Sequence, residues 1–98
     1  MIYELRRYTL IPGGIREYLA KYNDMGRAVQ VRILGDLVSL MQPESGDLNQ
    51  LVFLWRFENF EERRARRLAL MEDAQFTEFR KAVRHLLVTQ ESQLLSAV

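Results

Sequence analysis

The spacing of hydrophobic and polar positions changes along the chain, and the first half contains a strand pattern followed by a helix pattern. Residues 2–10 are rich in aromatic and branched side chains interrupted by polar ones, and the Pro-Gly-Gly run at 12–14 ends this segment, which predicts a strand. Over residues 15–34 the apolar positions recur every three or four residues, as in an amphipathic helix. Gly26 is expected to bend or interrupt that helix, and Gly35 is expected to cap its end.

The second half of the chain also alternates between strand and helix patterns. Residues 37–41 and 51–57 predict two strands, and the segment between them contains Pro, Gly and Asp, which is typical of an antiparallel hairpin. Residues 60–71 have a strongly helical composition. Apolar residues at helical spacing continue beyond them: Phe76, Phe79 and Val83. Residues 87–95 predict a final strand.

The resulting order is β-α-β-β-α-β, which is the ferredoxin-like pattern of the α+β class. It places the helices on one face of a four-stranded antiparallel sheet, with the first and third strands at the centre of the sheet. A chain of 98 residues has room for one such domain, which spans residues 1–98. No repeat, linker or low-complexity tract divides it.

The third strand indicates that one copy of this fold leaves apolar surface uncovered. Phe53, Trp55 and Phe57 share one face of that strand, whereas Val52 and Leu54 share the other. A strand with one solvated face would instead alternate between apolar and polar residues. Because the helices can cover only one face of the sheet, a second copy is expected to cover the other face, which gives a homodimer. The alternative is that a chain terminus folds over the open face.

Composition and charge exclude several classes of function. Lys and Arg number 14 and Asp and Glu number 13, a net charge of +1, which gives no electrostatic reason to expect a nucleic-acid partner. The chain has no cysteine, so it has neither disulfides nor thiolate nucleophiles or metal ligands. No apolar run approaches the ~18 residues of a membrane helix, and the N-terminal residues show no signal pattern. We therefore expect a cytoplasmic protein with no membrane partner.

Short motifs spread over nearly the whole chain resemble the NIPSNAP domain family. They are Tyr3-Glu4-Leu5-Arg6 with Tyr8, Pro12-Gly13, Leu34-Gly35, Leu48-Asn49-Gln50 before Leu54-Trp55, and Glu62-Arg63 with Arg66-Arg67. The resemblance implies a dimeric α+β barrel, in which two ferredoxin-like sheets pack together. The wider group includes cofactor-free monooxygenases, isomerases and haem enzymes, whereas members of the family itself mostly have no assigned reaction.

Three positions depart from the family pattern in a way that bears on chemistry. The family often has His at the positions of Phe53 and Ile33, and it tends to have Tyr at the position of Phe57. This chain has apolar side chains at all three positions, which argues against acid–base catalysis.

Three side chains of the first strand are the main candidates for a binding site. Glu4, Arg6 and Tyr8 alternate along the strand and so point to one face of the sheet, with neighbours ~6.6 Å apart. We expect them to line the interior of the barrel, where Arg6 would supply the charge and Tyr8 a phenol for a small polar or anionic ligand. The alternative is an ion pair within the sheet or across the dimer contact.

Four further residues are candidates for contact with the same ligand. Phe53 and Trp55 would wall the pocket, and Asn49 and Gln50 would reach the ligand from the end of the hairpin. Each has a simpler alternative, which is core or interface packing for the two aromatic residues and hydrogen bonds within the turn for the two amides.

No residue is assigned as catalytic, and neither a metal nor a cofactor is expected. His85 is the only histidine, whereas a zinc site needs three or four ligands. Arg63, Arg64, Arg66 and Arg67 are expected to form a solvated helix face. Two functions remain open: binding of a small, partly apolar molecule, with or without cofactor-independent activity, and a non-enzymatic assembly or adaptor module.

Overall fold

A four-stranded antiparallel sheet forms one layer of the structure, a computed structural model that describes all 98 residues. The strands are β1 (Ile2–Leu10), β2 (Asp36–Met41), β3 (Gln50–Phe57) and β4 (Leu87–Ser96), and the helices are α1 (Gly14–Lys21), α2 (Arg27–Leu34), α3 (Phe60–Glu72) and α4 (Ala74–Val83). A π-helical turn at Tyr22–Gly26 joins α1 to α2, and a 3-10 turn at Arg84–Leu86 joins α4 to β4. The order across the sheet is β2-β3-β1-β4, which confirms the ferredoxin-like fold and the central position of β1 and β3.

The register of the sheet determines which side chains share a face. Glu4 of β1 is opposite Trp55 of β3 and Leu94 of β4, and Tyr8 is opposite Leu51. Directly opposed residues of an antiparallel pair lie on the same face, so the even-numbered residues of β1 share a face with the odd-numbered residues of β3. The helices pack on this face, which we call the helix face. The opposite side of the sheet is the open face.

The helix face of β3 contributes the largest side chains of the core. Leu51, Phe53, Trp55 and Phe57 are at most 1% exposed. The rings of Phe53 and Trp55 are parallel, with centroids 6.4 Å apart, and Tyr22 meets Phe53 edge-on at 5.5 Å. Aromatic side chains each bury ~150–250 Å², so this strand supplies much of the apolar contact that holds the helices on the sheet.

No helix packs on the open face. Leu5 is opposite Leu54 there, and both are partly exposed, as is Val52. The terminal segments of the described residues are strands of the sheet itself, Ile2–Leu10 and Leu87–Ser96, and neither folds over this face. Pairing with a second copy stays a prediction.

Side-chain caps separate α3 from α4. Asn59 Oδ1 accepts the backbone N–H of Glu62 at 2.8 Å and begins α3. Asp73 has an extended backbone that ends α3, and its Oδ2 accepts the N–H of Phe76 at 2.8 Å and begins α4. Such caps contribute ~1 kcal/mol each. None of the helices is both long enough and apolar enough to cross a membrane.

The π-helical turn lets the first pair of helices approach α4 closely. A Cβ added at Gly26 would lie 2.8 Å from the ring Cγ of Phe79, which is closer than carbon atoms pack. The Tyr22 hydroxyl of the same turn donates to Gln30 Oε1 at 2.6 Å, and both groups are buried. The interruption expected at Gly26 is confirmed, and the contact with Phe79 gives a second reason for a glycine at this position.

Gly26→Ala is expected to lower the free energy of unfolding by about 1–3 kcal/mol, because the added methyl group overpacks the core against an aromatic ring. Urea denaturation of the variant measures this loss. A Gly26→Ala, Phe79→Leu double variant tests the cause, since the smaller side chain makes room for the methyl group and the two losses should then be less than additive. Strictly additive losses would contradict the contact as the cause.

Candidate functional site

The carboxylate of Glu4 lies on the helix face between β1, β4 and α3. Arg63 of α3 donates to both of its oxygens, from Nε to Oε1 at 3.0 Å and from Nη2 to Oε2 at 2.9 Å. Arg6 Nη1 donates to Oε2 at 2.9 Å, and Ser92 Oγ of β4 donates to the same oxygen at 2.6 Å. Glu4 is 0% exposed, so these hydrogen bonds replace the water that the carboxylate loses on folding.

This environment keeps Glu4 ionised. Burial acts to raise the pKa of Glu4, but the hydrogen bonds from Arg63, Ser92 and Arg6 outweigh it and lower the pKa from 4.5 to about 2. A carboxylate with so low a pKa is a weak proton acceptor at neutral pH. Glu4 is therefore suited to hold cations in place and poorly suited to act as a general base.

A cavity of about 320 Å³ opens between the sheet and the helices. The sheet contributes Arg6 and Tyr8 from β1 and Leu87 and Gln90 from β4. The apolar side chains of the helices that line the cavity are Leu70 and Met71 of α3 and Phe76, Phe79 and Val83 of α4. Small-molecule sites typically have volumes of ~300–1,000 Å³, so the cavity can hold a small organic molecule.

Four arginines and no carboxylate line this cavity. They differ in exposure, since Arg6 and Arg67 are partly buried, whereas Arg80 and Arg84 are exposed to solvent. Arg6 Nε also donates to the Tyr8 hydroxyl at 3.2 Å. The lining therefore combines positive charge with apolar side chains.

Arg67 is a partly buried cation without a partner in the chain. It makes no hydrogen bond or ion pair, whereas Arg6 and Arg63 both bind Glu4. Burial lowers the pKa of Arg67, and the positive charge of Arg6 lowers it further. The nearby negative charge of Glu4 acts in the opposite direction. Arginine keeps its charge in proteins, so the cavity contains a charged guanidinium group without a direct partner.

The cavity also contains a phenol that stays neutral. Burial raises the pKa of Tyr18 above its ordinary value, and the neighbouring Tyr8 and Tyr22 raise it further. The Tyr18 hydroxyl lines the cavity and makes no hydrogen bond within the chain. As a protonated phenol, it can donate a hydrogen bond to a bound molecule.

The three candidates from the first strand lie together, as predicted, but on the helix face. Arg6 and Tyr8 therefore border a space within one protomer and not the space that two open faces would enclose, whereas Glu4 lies on the same face without lining that space. The alternative of an ion pair within the sheet applies to Glu4 and Arg6. A ligand-binding role for Arg6 and Tyr8 stays a prediction.

The other four candidates lie outside the cavity. Phe53 and Trp55 are 0% exposed and belong to the core, because the helices cover their face of β3. Asn49 and Gln50 lie at the start of β3, where Gln50 Nε2 donates to Thr9 Oγ1 at 3.2 Å. The structure brings none of these four residues to the cavity.

Helix α3 contributes to the site in a way that the sequence did not predict. The expected solvated face is wrong for three of the four arginines, since Arg63 binds Glu4, Arg66 donates to the carbonyl of Ile33, and Arg67 lines the cavity. These three share one side of the helix because they are spaced three and four residues apart. Arg64, which is exposed, lies on another side. The spacing of the three was the signal in the sequence.

His85 lies on the surface. Its side chain is exposed, and its Nε2 is 3.1 Å from Glu17 Oε2. No group of three or more His, Asp or Glu side chains is placed to hold a metal ion.

Comparison with known proteins identifies close relatives of this chain. A family model described as NIPSNAP matches residues 3–98. An uncharacterized NIPSNAP-like domain protein from Burkholderia xenovorans is 36% identical, with a TM-score of 0.95 over 99% of this chain and 84% of that one. A NIPSNAP family protein with unknown function from Agrobacterium tumefaciens is 35% identical, with a TM-score of 0.94 over 97% of this chain and 86% of that one.

A more distant likeness shows the fold alone. An antibiotic biosynthesis monooxygenase superposes with a TM-score of 0.69 over 100% of this chain and 99% of that one, but the two are only 16% identical. Among curated proteins, none matches this chain.

Ser92→Ala is expected to lower the free energy of unfolding by about 1–3 kcal/mol, because it removes a hydrogen bond from a buried charge. It should also change the pH dependence of stability. The folded-state pKa of Glu4, about 2, lies below its ordinary value of 4.5, so the stabilisation is present above that ordinary value and is lost as the pH falls toward 2. The whole shift corresponds to about 3 kcal/mol.

Urea denaturation at a series of pH values, followed by the fluorescence of Trp55, measures both effects. Loss of the Ser92 hydroxyl raises the pKa of Glu4, so the variant should begin to lose stability at a higher pH than the parent. Thr89→Ala, an exposed position on the same strand, is the matched control. If the stability of Ser92→Ala falls over the same acidic pH range as that of the parent, the low pKa of Glu4 does not depend on this hydrogen bond.

Proposed function

The chain belongs to the NIPSNAP family, and we propose that it binds a small, partly apolar molecule in the cavity between its sheet and its helices. The observation that carries this proposal is the cavity itself, about 320 Å³ in volume and next to a core that is otherwise filled with aromatic rings. Binding of a ligand would use this recess, whereas a module used only for assembly has no use for it.

The chemistry of the lining supports a binding role. Ligand sites are typically apolar, with a small number of polar groups that fix the orientation of the ligand. Here Leu70, Phe76 and Val83 supply apolar surface, while Tyr18 and Arg67 supply hydrogen-bond donors that no group of the chain occupies. Because both residues line the cavity, a bound ligand can accept hydrogen bonds from them.

The proposal assigns no acid–base catalyst. Glu4 is the one buried carboxylate near the cavity, and its pKa of about 2 keeps it ionised and engaged with three donor residues. Any chemistry at this site would then depend on positioning and on electrostatic stabilisation by the arginines.

We also propose that two copies pair through their open faces. The apolar residues that support this contact are Leu5, Met41, Val52, Leu54 and Leu95, which the register places on that face. Met41 is 46% exposed and Leu95 is 38% exposed in a single copy. Burial of such side chains is worth ~25 cal/mol per Å², so a second open face is a suitable cover for them.

Met71→Trp is expected to weaken binding of small apolar fragments by about tenfold or more, because the larger side chain occupies part of the cavity. Protein-observed NMR with a fragment library measures the affinity and locates the site. Leu68→Trp is the matched control, since Leu68 is on the same helix, is 60% exposed and does not line the cavity. Fragments that shift only residues away from the cavity, or that bind Met71→Trp as well as the parent, would count against the proposed site.

Leu54→Arg is expected to convert the dimer to a monomer, because it places a charge in the centre of the proposed contact. Sedimentation equilibrium measures the mass of both proteins, and native mass spectrometry of protein purified without added ligand also reports any small molecule that it retains. Leu68→Arg adds the same charge on the exposed side of α3 and should leave the mass unchanged. A parent protein that is monomeric at micromolar concentration would contradict the dimer.

A further inference from the structure

We infer that the ligand of this cavity is an organic carboxylate, whose carboxylate group binds Arg67 beside Arg6 and whose apolar body packs against α3 and α4. This inference rests on the proposed binding function and specifies the class of ligand. It predicts that affinity depends on the negative charge of the ligand as well as on its apolar surface.

The lining of the cavity has an excess of positive charge, which favours an anionic ligand. Four arginines line it, and no aspartate or glutamate does. The nearest carboxylate is that of Glu4, which already accepts hydrogen bonds from Arg63, Arg6 and Ser92. The single negative charge of Glu4 balances only one of the positive charges of Arg6 and Arg63. The group around Glu4 therefore has a net positive charge even before Arg67 is counted.

The position of Arg67 on α3 directs its side chain into the cavity. The bidentate contact between Arg63 and Glu4 fixes the rotation of α3 relative to the sheet. Because Arg67 follows Arg63 by four residues, it points to the same side of the helix and into the cavity. A guanidinium group presents a planar pair of donors that matches the two oxygens of a carboxylate.

The remaining lining determines what the rest of the ligand must be. Leu70, Phe76, Phe79 and Val83 offer no hydrogen-bonding groups, so the part of the ligand that contacts them is apolar. The Tyr18 phenol stays protonated and can donate a second hydrogen bond to the anionic end. Arg80 and Arg84, exposed where α4 ends, add to the positive potential that attracts an anion.

Cinnamate and cinnamamide are matched probes for this inference, because they have the same shape and differ in the charge of one end. Isothermal titration calorimetry of the full chain should show that cinnamate binds about tenfold or more tightly than cinnamamide. Arg67→Met should weaken cinnamate binding by about 10- to 100-fold and leave cinnamamide binding within about twofold. Arg64→Met, on the exposed side of the same helix, should change neither affinity.

The unfolding temperature without ligand distinguishes a ligand-binding role of Arg67 from a structural role, because the two roles predict opposite effects of Arg67→Met. An arginine kept for a ligand makes no hydrogen bond or ion pair in the free protein, and its burial disfavours its charge, so Arg67→Met should unfold at the same or a higher temperature than the parent. A lower unfolding temperature would show that Arg67 stabilises the fold and would overturn the inference.

The binding outcomes separate this inference from the proposed function. Equal affinities for the two probes, or unchanged cinnamate affinity in Arg67→Met, would overturn the carboxylate assignment and leave the cavity as a binding site. Failure of both probes to bind a parent protein that still binds other fragments in the cavity would also overturn the carboxylate assignment alone, whereas failure of probes and fragments alike would overturn both proposals.

Discussion

The burial of one negative charge organises the helix face of this protein. A carboxylate without solvent is tolerated only when ionic and hydrogen-bonding partners surround it, and the partners of Glu4 come from three elements. Arg6 is a neighbour on β1, Ser92 is on β4, and Arg63 is on α3, 59 residues further along the chain. Loss of any partner would leave a buried charge incompletely compensated, so the contact favours one arrangement of these elements over others.

The two halves of the helix face have different chemistry. On β3 the positions facing the helices are Leu51, Phe53, Trp55 and Phe57, and their bulk fills the space below the helices. On β1 and β4 the corresponding positions carry polar or smaller side chains, so the helices are not held in apolar contact with them to the same extent. The cavity lies over this second half, where Arg6, Tyr8 and Gln90 form part of its lining. This difference between the two halves of the helix face follows from the sequences of the strands and needs no distortion of the fold.

Local patterns were sufficient to predict the elements, because each boundary has its own residue signal. The strand predicted at 2–10 is Ile2–Leu10 in the structure, and the helix predicted to end before Gly35 ends at Leu34. Gly35 has a φ of 99°, a conformation that residues other than glycine rarely adopt. Boundaries of this kind depend on residues close together in sequence, and the sequence therefore contains the information needed to find them.

The site could be predicted only in part, because it depends on contacts between distant residues. Alternation placed Glu4, Arg6 and Tyr8 on one face, but it could not say whether helices or a second sheet would cover that face. The same uncertainty made Phe53 and Trp55 candidates for a pocket, whereas both are core residues. Which arginines of α3 point inward depends on the rotation of the helix, and that rotation is fixed by a contact between Arg63 and Glu4 that no local pattern contains.

Strand β1 links the two proposals physically, because its two faces serve different surfaces. Two of its even-numbered residues, Arg6 and Tyr8, line the cavity, and its odd-numbered residues, including Leu5, lie on the open face. In a homodimer paired through the open faces, β1 would be held by β3 and β4 at its edges and by the partner from below. A ligand that binds only this arrangement of β1 would then favour the dimer by the same free energy by which the dimer favours the ligand. The free energies of ligand binding and of dimer formation would thus be coupled through β1.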